Sequence, residues 1–508
     1  MAYLNLKNTK ELTMQDHNHV EATYTLDRRT FLATIGAICS ALAVPLLETD
    51  AAESKRLAPR KKEGATVRAA FLYPPSTTFS DDPDGWWSWP GNEFDAEGRQ
   101  KSYTAALKEI EKRLGMKIIT ENRSVANNVD AQRLIREIET THPNGLLLIM
   151  FYNRSLSQAD MLLDAAQKLS IPVVFFIGLG VKHGSVNHYR RPGVYFIQSL
   201  DNLEAIEYGM RMINTRKHLK QSLILSITEA DKPRESTEQF FGIKVRVIPF
   251  SRYSDLFHKV KIKAAVQDLM KKITSRAKKI RGVNRKSLEN AMRAHHALTE
   301  LLRIENADGL TMNCLRRGML KPCVSFSLLN SGLVPAACEN DLPAAYTQLL
   351  GQLLIRRPGF QHNPCYETER NHYYASHCTC ATKIYGPDGP EPDYLLRRFA
   401  HTNEGSCAIQ VFWNSGDPVT MAKYYPGEKP KLDVYSGRVV KSHQMPPAAG
   451  CTTNVEIEIT DRSDACMVKG HHNLLFCGDF SRQFRLFAQL YKMELADTGY
   501  TGPPLVQA

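Results

Sequence analysis

The sequence has too few cysteines for a small disulfide-stabilised fold and too few long apolar runs for repeated membrane crossing. Its 508 residues include 11 cysteines, a density far below that of disulfide scaffolds. The mean hydropathy is negative, and one uncharged apolar run, residues 31–47, approaches the length of a membrane-spanning helix. These shortages exclude a disulfide scaffold and a multi-span membrane protein.

Low-complexity tracts and internal repeats are also lacking, and the composition is that of a globular protein. Hydrophobic residues make up 43% and charged residues 23%, which argues against disorder. At roughly 150 residues per domain, the length predicts about three domains.

Residues 1–52 have the organisation of an export signal. A polar stretch leads to the pair Arg28 and Arg29, then to the apolar run 31–47 and to the small residues Ala51 and Ala52. This order resembles a twin-arginine signal peptide. We therefore expect a periplasmic or extracellular protein that contacts the membrane only through its signal; an uncleaved anchor is the alternative. Residues 53–66 are charged and lack apolar periodicity, which indicates a linker.

From residue 67 onward, short apolar runs alternate with amphipathic segments. Runs 145–151 and 172–178 are continuously apolar and bounded by turn residues, which is typical of strands buried on both faces of a parallel sheet. Runs 222–228 and 244–249 repeat the pattern, whereas segments 407–413, 431–440 and 454–460 indicate antiparallel strands. The predicted fold class is α/β: two open, Rossmann-like α/β domains (67–210 and 211–380), a small β-rich domain (381–490) and a tail (491–508).

The net charge of +12 raises nucleic acid as a partner, and the basic residues concentrate in a predicted helical region, 258–303. Its basic side chains could contact phosphates or form a solvated helix face, with Val266, Leu269 and Ile273 turned inward. No aromatic residue lies between Lys259 and Lys286 to stack on a base. We therefore expect no nucleic-acid partner.

Ten of the eleven cysteines lie between residues 314 and 477, and the same segment holds three polar clusters. The first, residues 338–341, follows the apolar run 332–337 and ends in two acids, Glu339 and Asp341. A strand that ends in acids can place carboxylates at the carboxyl edge of a sheet, where ligands of open α/β sheets bind. A helix N-cap explains Asp341, which a helical pattern follows, but not Glu339.

The second and third clusters offer further metal ligands. Residues 361–380 include Asn363, Glu367 and His377, and the pair His471 and His472 precedes the apolar run 473–476. Packing or hydrogen bonding is the competing interpretation for each. No pair of CxxC motifs with zinc-finger spacing occurs, so the pattern gives little support to a structural zinc.

Three of the four tryptophans fall within residues 86–89, ahead of a glycine and an asparagine. Tryptophan faces stack on sugar rings, so Trp87, Trp89 and Asn92 could form a carbohydrate platform. A packed loop under the sheet is an equal alternative.

Taken in this order, the clusters resemble the L-fucose and L-arabinose isomerase family. The resemblance in overall architecture extends over residues 67–490, whereas specific sequence motifs match only from about Asp308 onward. Family members carry a Glu in an Ala-Thr-Glu-Asn-Asp-like stretch after a strand, which here is Ala337-Cys338-Glu339-Asn340-Asp341. They also carry a His before an apolar strand near the carboxyl end, which here is His472 or His471.

The resemblance implies a divalent metal, usually Mn²⁺, and interconversion of an aldose and a ketose through an ene-diol. Glu339 would be an acid/base and metal ligand, His472 or His471 a second ligand, and His377 a residue lining the sugar site. The family's second carboxylate, an Asp, is Asn363 here; an amide can ligate a metal but cannot act as a base. Glu367 is the candidate to replace it in catalysis.

The predicted function is thus that of an exported, metal-dependent sugar isomerase acting on a small sugar or glycan fragment. The resemblance also implies a homo-oligomer. Two alternatives remain: a different carbohydrate-active enzyme, such as a glycoside hydrolase that uses Glu339 with a second acid, or a non-catalytic sugar-binding protein.

Overall fold

The computed structural model describes residues 62–80, 90–91, 93–179, 181–182, 184–315, 319–401 and 405–495. The first part of the described chain is a five-stranded parallel sheet in the order β2-β1-β3-β4-β5. Its strands are β1 (Thr66–Leu72), β2 (Lys117–Thr120), β3 (Gly145–Met150), β4 (Val173–Gly178) and β5 (Val194–Ser199). Its helices are α1 (Thr77–Ser80), α2 (Ala96–Leu114), α3 (Asn128–Thr141), α4 (Leu156–Lys168) and α5 (Leu203–Lys220), with 3₁₀ turns at Asn153–Ser155 and Asn187–Tyr189.

Strand β3 explains why its sequence is continuously apolar. Leu147 and Ile149 pack into the core on one face of the sheet, and Leu146 and Leu148 pack into the core on the other. Helices cover both faces, so neither alternates with polar residues.

The second part is a five-stranded sheet in the order β11-β10-β6-β8-β7, parallel except for β7. The strands here are β6 (Leu223–Thr228), β7 (Arg234–Thr237), β8 (Lys244–Pro249), β9 (Lys279–Arg281, in a separate small sheet), β10 (Gly309–Met312) and β11 (Ala336–Ala337). The helices are α6 (Phe250–Lys259), α7 (Ala264–Arg276), α8 (Arg285–Glu305), α9 (Cys323–Ser331) and α10 (Leu342–Ile355).

The third part is an antiparallel β-barrel. Six strands run in the order β16-β19-β12-β13-β18-β17, and pairing of β17 with β16 closes the barrel. The bounds are β12 (Phe360–Glu367), β13 (His372–His377), β14 (Tyr394–Arg398), β15 (Cys407–Val411), β16 (Pro418–Tyr425), β17 (Lys431–Ser442), β18 (Thr453–Ile459), β19 (Asn473–Cys477) and β20 (Glu494–Leu495), with a 3₁₀ turn at Ala465–Met467 and helix α11 at Ser481–Leu490. Strand β20 pairs with β17, whereas β14 and β15 join β9.

The predicted fold class is confirmed: two Rossmann-like α/β parts precede a β-rich part. Two details differ from the sequence-based expectation. The helical region 258–303 is broken at residues 260–263, between α6 and α7, and again between Ala277 and Asn284, where β9 pairs with β14. Strands β12 and β13, which we expected in the second α/β domain, belong to the barrel.

Three predicted segments lie wholly or mostly outside the described residues: 1–52, most of 53–66 and most of 491–508. Among the described helices, none has the length and apolarity that a membrane span requires.

Helix α10 packs the barrel against the second sheet, and its fit depends on Gly351. A Cβ at this position would overlap the ring of Phe476, a fully buried residue of β19. The missing side chain therefore sets how closely the helix approaches the barrel, and with it the distance between residues at the start of α10 and the barrel strands.

We expect Gly351→Ala to lower the free energy of unfolding by about 1–3 kcal/mol, because the buried ring must move. Gly332→Ala is the matched control: its φ of −85° suits any residue, and its Cβ would meet atoms only at ordinary contact distance, so it should cost less than about 0.5 kcal/mol. Denaturant unfolding of both variants measures the difference; equal stability of the two would contradict the packing argument.

A buried carboxylate links three segments of the barrel. The oxygens of Glu456 lie 2.7 Å from His372 Nδ1 and 2.7 Å from His443 Nε2. Burial raises the pKa of Glu456, but the hydrogen bonds from His372 and His443 outweigh it and lower the pKa. The stabilisation is therefore present above the pKa of an unfolded glutamate and is lost as the pH falls through the folded pKa.

Glu456→Gln should lower stability near pH 7 by about 1–2 kcal/mol, since the charged acceptor is lost. The gap between variant and wild type should close on acidification, when Glu456 is protonated in both states. Thermal unfolding from pH 7 to pH 3 measures it, with the exposed Glu458→Gln as control. A gap that is independent of pH would contradict the prediction.

Candidate metal centre

The candidate centre begins where β11 ends at the carboxyl edge of the second sheet. Glu339 and Asn340 both adopt left-handed backbone conformations, with φ of 62° and 56°, which residues with side chains rarely adopt. The backbone N–H of Asn340 donates to the Met312 carbonyl at 3.0 Å, and Ser226 Oγ donates to Asn340 Oδ1 at 2.7 Å. The turn is thus tied to β10 and β6, and the position of Glu339 is set by strained backbone of the kind that concentrates at functional sites.

Two buried histidines from the barrel face this carboxylate. Nε2 of His377, at the end of β13, lies 3.5 Å from Oε1 of Glu339, and Nε2 of His472, just before β19, lies 3.3 Å from Oε2. The proximity of His377 and then of His472 holds the pKa of Glu339 well below its usual range. Glu339 is therefore charged at neutral pH.

The three groups fit a metal ion. Neither Nε2 makes a hydrogen bond, although both are buried, and an unsatisfied buried nitrogen is costly. One carboxylate oxygen and the two imidazole nitrogens lie within 4.8 Å of one another. A cation between Glu339, His377 and His472 would satisfy both nitrogens, so this cluster can hold a metal ion.

Asp341 orients His472 and also begins helix α10. Its Oδ1 accepts from the Ala344 N–H at 2.8 Å, as the predicted N-cap requires. Its Oδ2 lies 2.9 Å from His472 Nδ1 and 3.5 Å from Lys423 Nζ. Burial raises the pKa of Asp341, but the His472 hydrogen bond and the Lys423 charge lower it further than burial raises it. A carboxylate behind a histidine is the usual support of a metal-bound imidazole.

Gln361 supports the same histidine from β12. Its amide bridges the backbone of Cys338, accepting from the N–H at 2.7 Å and donating to the carbonyl at 3.2 Å. Its Nε2 also lies 3.1 Å from His472 Nδ1. Because the contact to the charged Asp341 oxygen is the shorter of the two, Nδ1 of His472 carries the ring proton and donates a hydrogen bond to Asp341. The Nε2 lone pair of His472 is then free for a metal.

The surroundings of His377 favour positive charge. Its Nδ1 lies 3.6 Å from the sulfur of Cys378. Burial lowers the pKa of His377, but Cys378 and Glu339 raise it to about 10. Hydrogen bonds from neighbouring cysteines, Cys323 first, lower the pKa of Cys378. The Cys378 sulfur and the Glu339 carboxylate therefore both stabilise positive charge at His377, whether a proton or a metal ion supplies it.

A cavity of about 650 Å³ opens beside the cluster. Glu339, Asn363 and His377 line it, and Asn363 pairs with Ser376 across the β12–β13 ladder. Glu339 is the only acid among the described residues that line the cavity. Its volume is within the range of small-molecule sites.

The structure does not bring every predicted residue to the centre. Glu367 ends β12 at the hairpin turn, 3.6 Å from Arg370 and four residues beyond Asn363, which is roughly 13 Å along a strand. His471 is exposed; its ring packs against that of His472, with the centroids 4.1 Å apart, and its carbonyl accepts from Lys423 Nζ at 3.1 Å. Trp87, Trp89 and Asn92 lie outside the described residues.

Two residues have roles that the sequence analysis did not fix. His377, one of several possible ligands in residues 361–380 and a site-lining residue by the resemblance, lies with Glu339 and His472 in the candidate cluster. Gln361 was not singled out. The signal for Gln361 was its alternation with Asn363 on one face of a strand, which is visible only once residues 360–367 are recognised as that strand.

Asp341→Asn should weaken metal binding roughly 10–100-fold, because an amide cannot hold the His472 proton as a carboxylate does. The metal-free protein should lose stability at neutral pH only through the lost charge beside Lys423 and His472, since Asn is as good an N-cap as Asp. Calorimetric titration with Mn²⁺ and thermal unfolding measure the two effects. Asp341→Ala, which also removes the cap, should lose about 1 kcal/mol in addition; unchanged Mn²⁺ affinity in Asp341→Asn would contradict the positioning role.

Comparisons with known proteins add no family to this geometry. No protein-family model matches the sequence, and a search of curated proteins finds no match. What the protein does must be argued from the arrangement of Glu339, His377 and His472 and from the cavity beside them.

Proposed function

We propose that the protein is a divalent-metal-dependent enzyme acting on a small sugar, most simply an aldose–ketose isomerase similar to the L-fucose and L-arabinose isomerases. One observation carries the proposal: two orphaned imidazole nitrogens and a charged carboxylate converge at the carboxyl edge of a parallel sheet, beside a cavity. This is where open α/β sheets bind their ligands.

Glu339, His377 and His472 would hold the ion, and the amide oxygen of Asn363 is available on the cavity wall. Mixed oxygen and nitrogen donors bind several divalent ions, and Mn²⁺ is the one that the family resemblance implies. A bound divalent ion would polarise a sugar oxygen and stabilise negative charge that develops on it.

The protein's own residues limit how protons can move. Glu339 is charged and can take a proton from one sugar carbon and return it to the next. Asn363 stands where the resemblance expects a second carboxylate, and it cannot act as a base. The proposal is therefore isomerisation by one base, in which Glu339 serves both carbons and Asp341 and Gln361 keep His472 in place.

The test is exchange of sugar protons with solvent. Purified, Mn²⁺-loaded protein in D₂O should place deuterium at C1 or C2 of an aldose in a panel followed by NMR. Glu339→Gln should reduce the rate about 100-fold or more, because the base is lost. Asn363→Asp, which supplies a second carboxylate, should raise it, and Glu367→Gln should have no effect, since Glu367 lies at the far end of β12.

If the metal-loaded protein exchanges no proton of any aldose in the panel, the proposed isomerase activity is overturned.

One observation favours a second candidate, a non-catalytic sugar-binding protein: Glu339 is the only acid among the described cavity-lining residues. Calorimetry would then detect sugar binding without exchange. A glycoside hydrolase needs two carboxyl groups across the substrate, and the described cavity wall supplies one.

Export through residues 1–52 and assembly into a homo-oligomer remain predictions of the same proposal. Fractionation of cells that express the full chain, and light scattering of the purified protein, measure them directly.

A further inference from the structure

Six cysteines line the same cavity: the exposed Cys365 and five others that come from five separate segments and lie against one another. Cys314 follows β10, Cys323 begins α9, Cys338 follows β11, Cys378 follows β13 and Cys451 precedes β18. All five line the cavity; four are buried and Cys451 is half-buried. Because these segments are up to 137 positions apart in the sequence, the fold, and not local spacing, brings the sulfurs together.

The sulfurs are close but unbridged. Sγ of Cys314 lies 2.7 Å from Sγ of Cys338, and Sγ of Cys323 lies 3.4 Å from Sγ of Cys378; all are free cysteines. Packing alone often buries a cysteine, as it does Cys380, whose sulfur faces the Ala381 carbonyl. It does not account for five thiols that share the wall of one cavity.

Three of the donor atoms lie close enough together to ligate one ion. Sulfurs of Cys338 and Cys378 and a ring nitrogen of His377 lie within 4.8 Å of one another. Thiolates around a zinc ion sit about 2.3 Å from it, which places them roughly 3.8 Å apart. Cys323 lies outside this group, but its sulfur is 3.4 Å from that of Cys378, close to that separation, so a small movement toward the ion would complete a tetrahedral set.

We propose that Cys338, Cys378, Cys323 and Nδ1 of His377 form a second site that binds a thiophilic metal ion of the Zn²⁺ class. Cys314 and Cys451 lie beside these ligands. The donor set has three sulfurs and one nitrogen, which select zinc or copper(I) over manganese, whereas the centre at Glu339 contains no sulfur donor.

His377 lies between the two sites. Its Nδ1 is 3.6 Å from Cys378 Sγ, and its Nε2 is 3.5 Å from Glu339 Oε1. One imidazole can therefore contact an ion on each side. Since three of the four ligands of the thiolate site are cysteines, that site does not depend on the proposed isomerase function.

Titration of the reduced, full-length protein with Co²⁺ under nitrogen tests the proposal. One equivalent should produce thiolate-to-cobalt charge-transfer absorption, and one equivalent of Zn²⁺ should remove it. Cys378→Ser and Cys338→Ser should each weaken this binding roughly ten-fold or more. Cys380→Ser, equally buried but outside the cavity, and the exposed Cys466→Ser are the matched controls and should keep the absorption.

Two further measurements keep the outcome unambiguous. Glu339→Gln should keep the charge-transfer band while losing the Mn²⁺ centre, so that failure of one site is distinguished from failure of the other. Cadmium-113 NMR of the unmutated protein counts thiolate ligands without any variant that could misfold, and a shift typical of three sulfurs is expected. Absence of thiolate absorption, a band that survives both cysteine variants, or a Cys314–Cys338 disulfide with no metal uptake would overturn the proposal.

Discussion

The contact between the Glu339 carboxylate and two buried imidazole nitrogens is the interaction on which the remaining features of the centre depend. It joins the second parallel sheet, which supplies Glu339, to the barrel, which supplies His377 and His472. Without a cation, two buried nitrogens have no hydrogen-bond partner. The left-handed turn at Glu339 and the Asp341 contact to His472 then have a common explanation, because each fixes one ligand.

Much of the fold could be predicted because strands that are buried on both faces have continuously apolar sequences. The continuous apolar run of β3 reports a strand covered on both faces, and it was recognised within one residue of its observed end. Closure of the barrel could not be predicted, since it depends on pairing between β12 and β19, which lie more than 100 residues apart. The apolar pattern did not mark strand β12, because its Gln361, His362 and Asn363 are polar; the first two are nevertheless buried, and Asn363 lines the cavity.

The candidate centre was predictable where a short motif carried it and not where the fold assembles it. Glu339 stood out because capping explained Asp341 but not its neighbour, and His472 because it precedes an apolar strand. His377 was one of several possible ligands in residues 361–380, and only the approach of β13 to the sheet edge distinguishes it from the others. Glu367 was chosen by residue type, but strand length places it at the hairpin turn. Asp341 shows that one residue can cap a helix with one oxygen and orient a histidine with the other.

The role of the cysteines, too, could be predicted only in part from the sequence. Their clustering between residues 314 and 477 was visible in the sequence, but the five that meet at one cavity could not be distinguished there from those that only pack.

The most direct measurement on the central claim is a crystal structure of the Mn²⁺-loaded protein with anomalous data at the manganese edge. We predict one anomalous peak bonded to the Glu339 carboxylate and to Nε2 of both His377 and His472. A loaded crystal with no peak between these three side chains would contradict the metal centre.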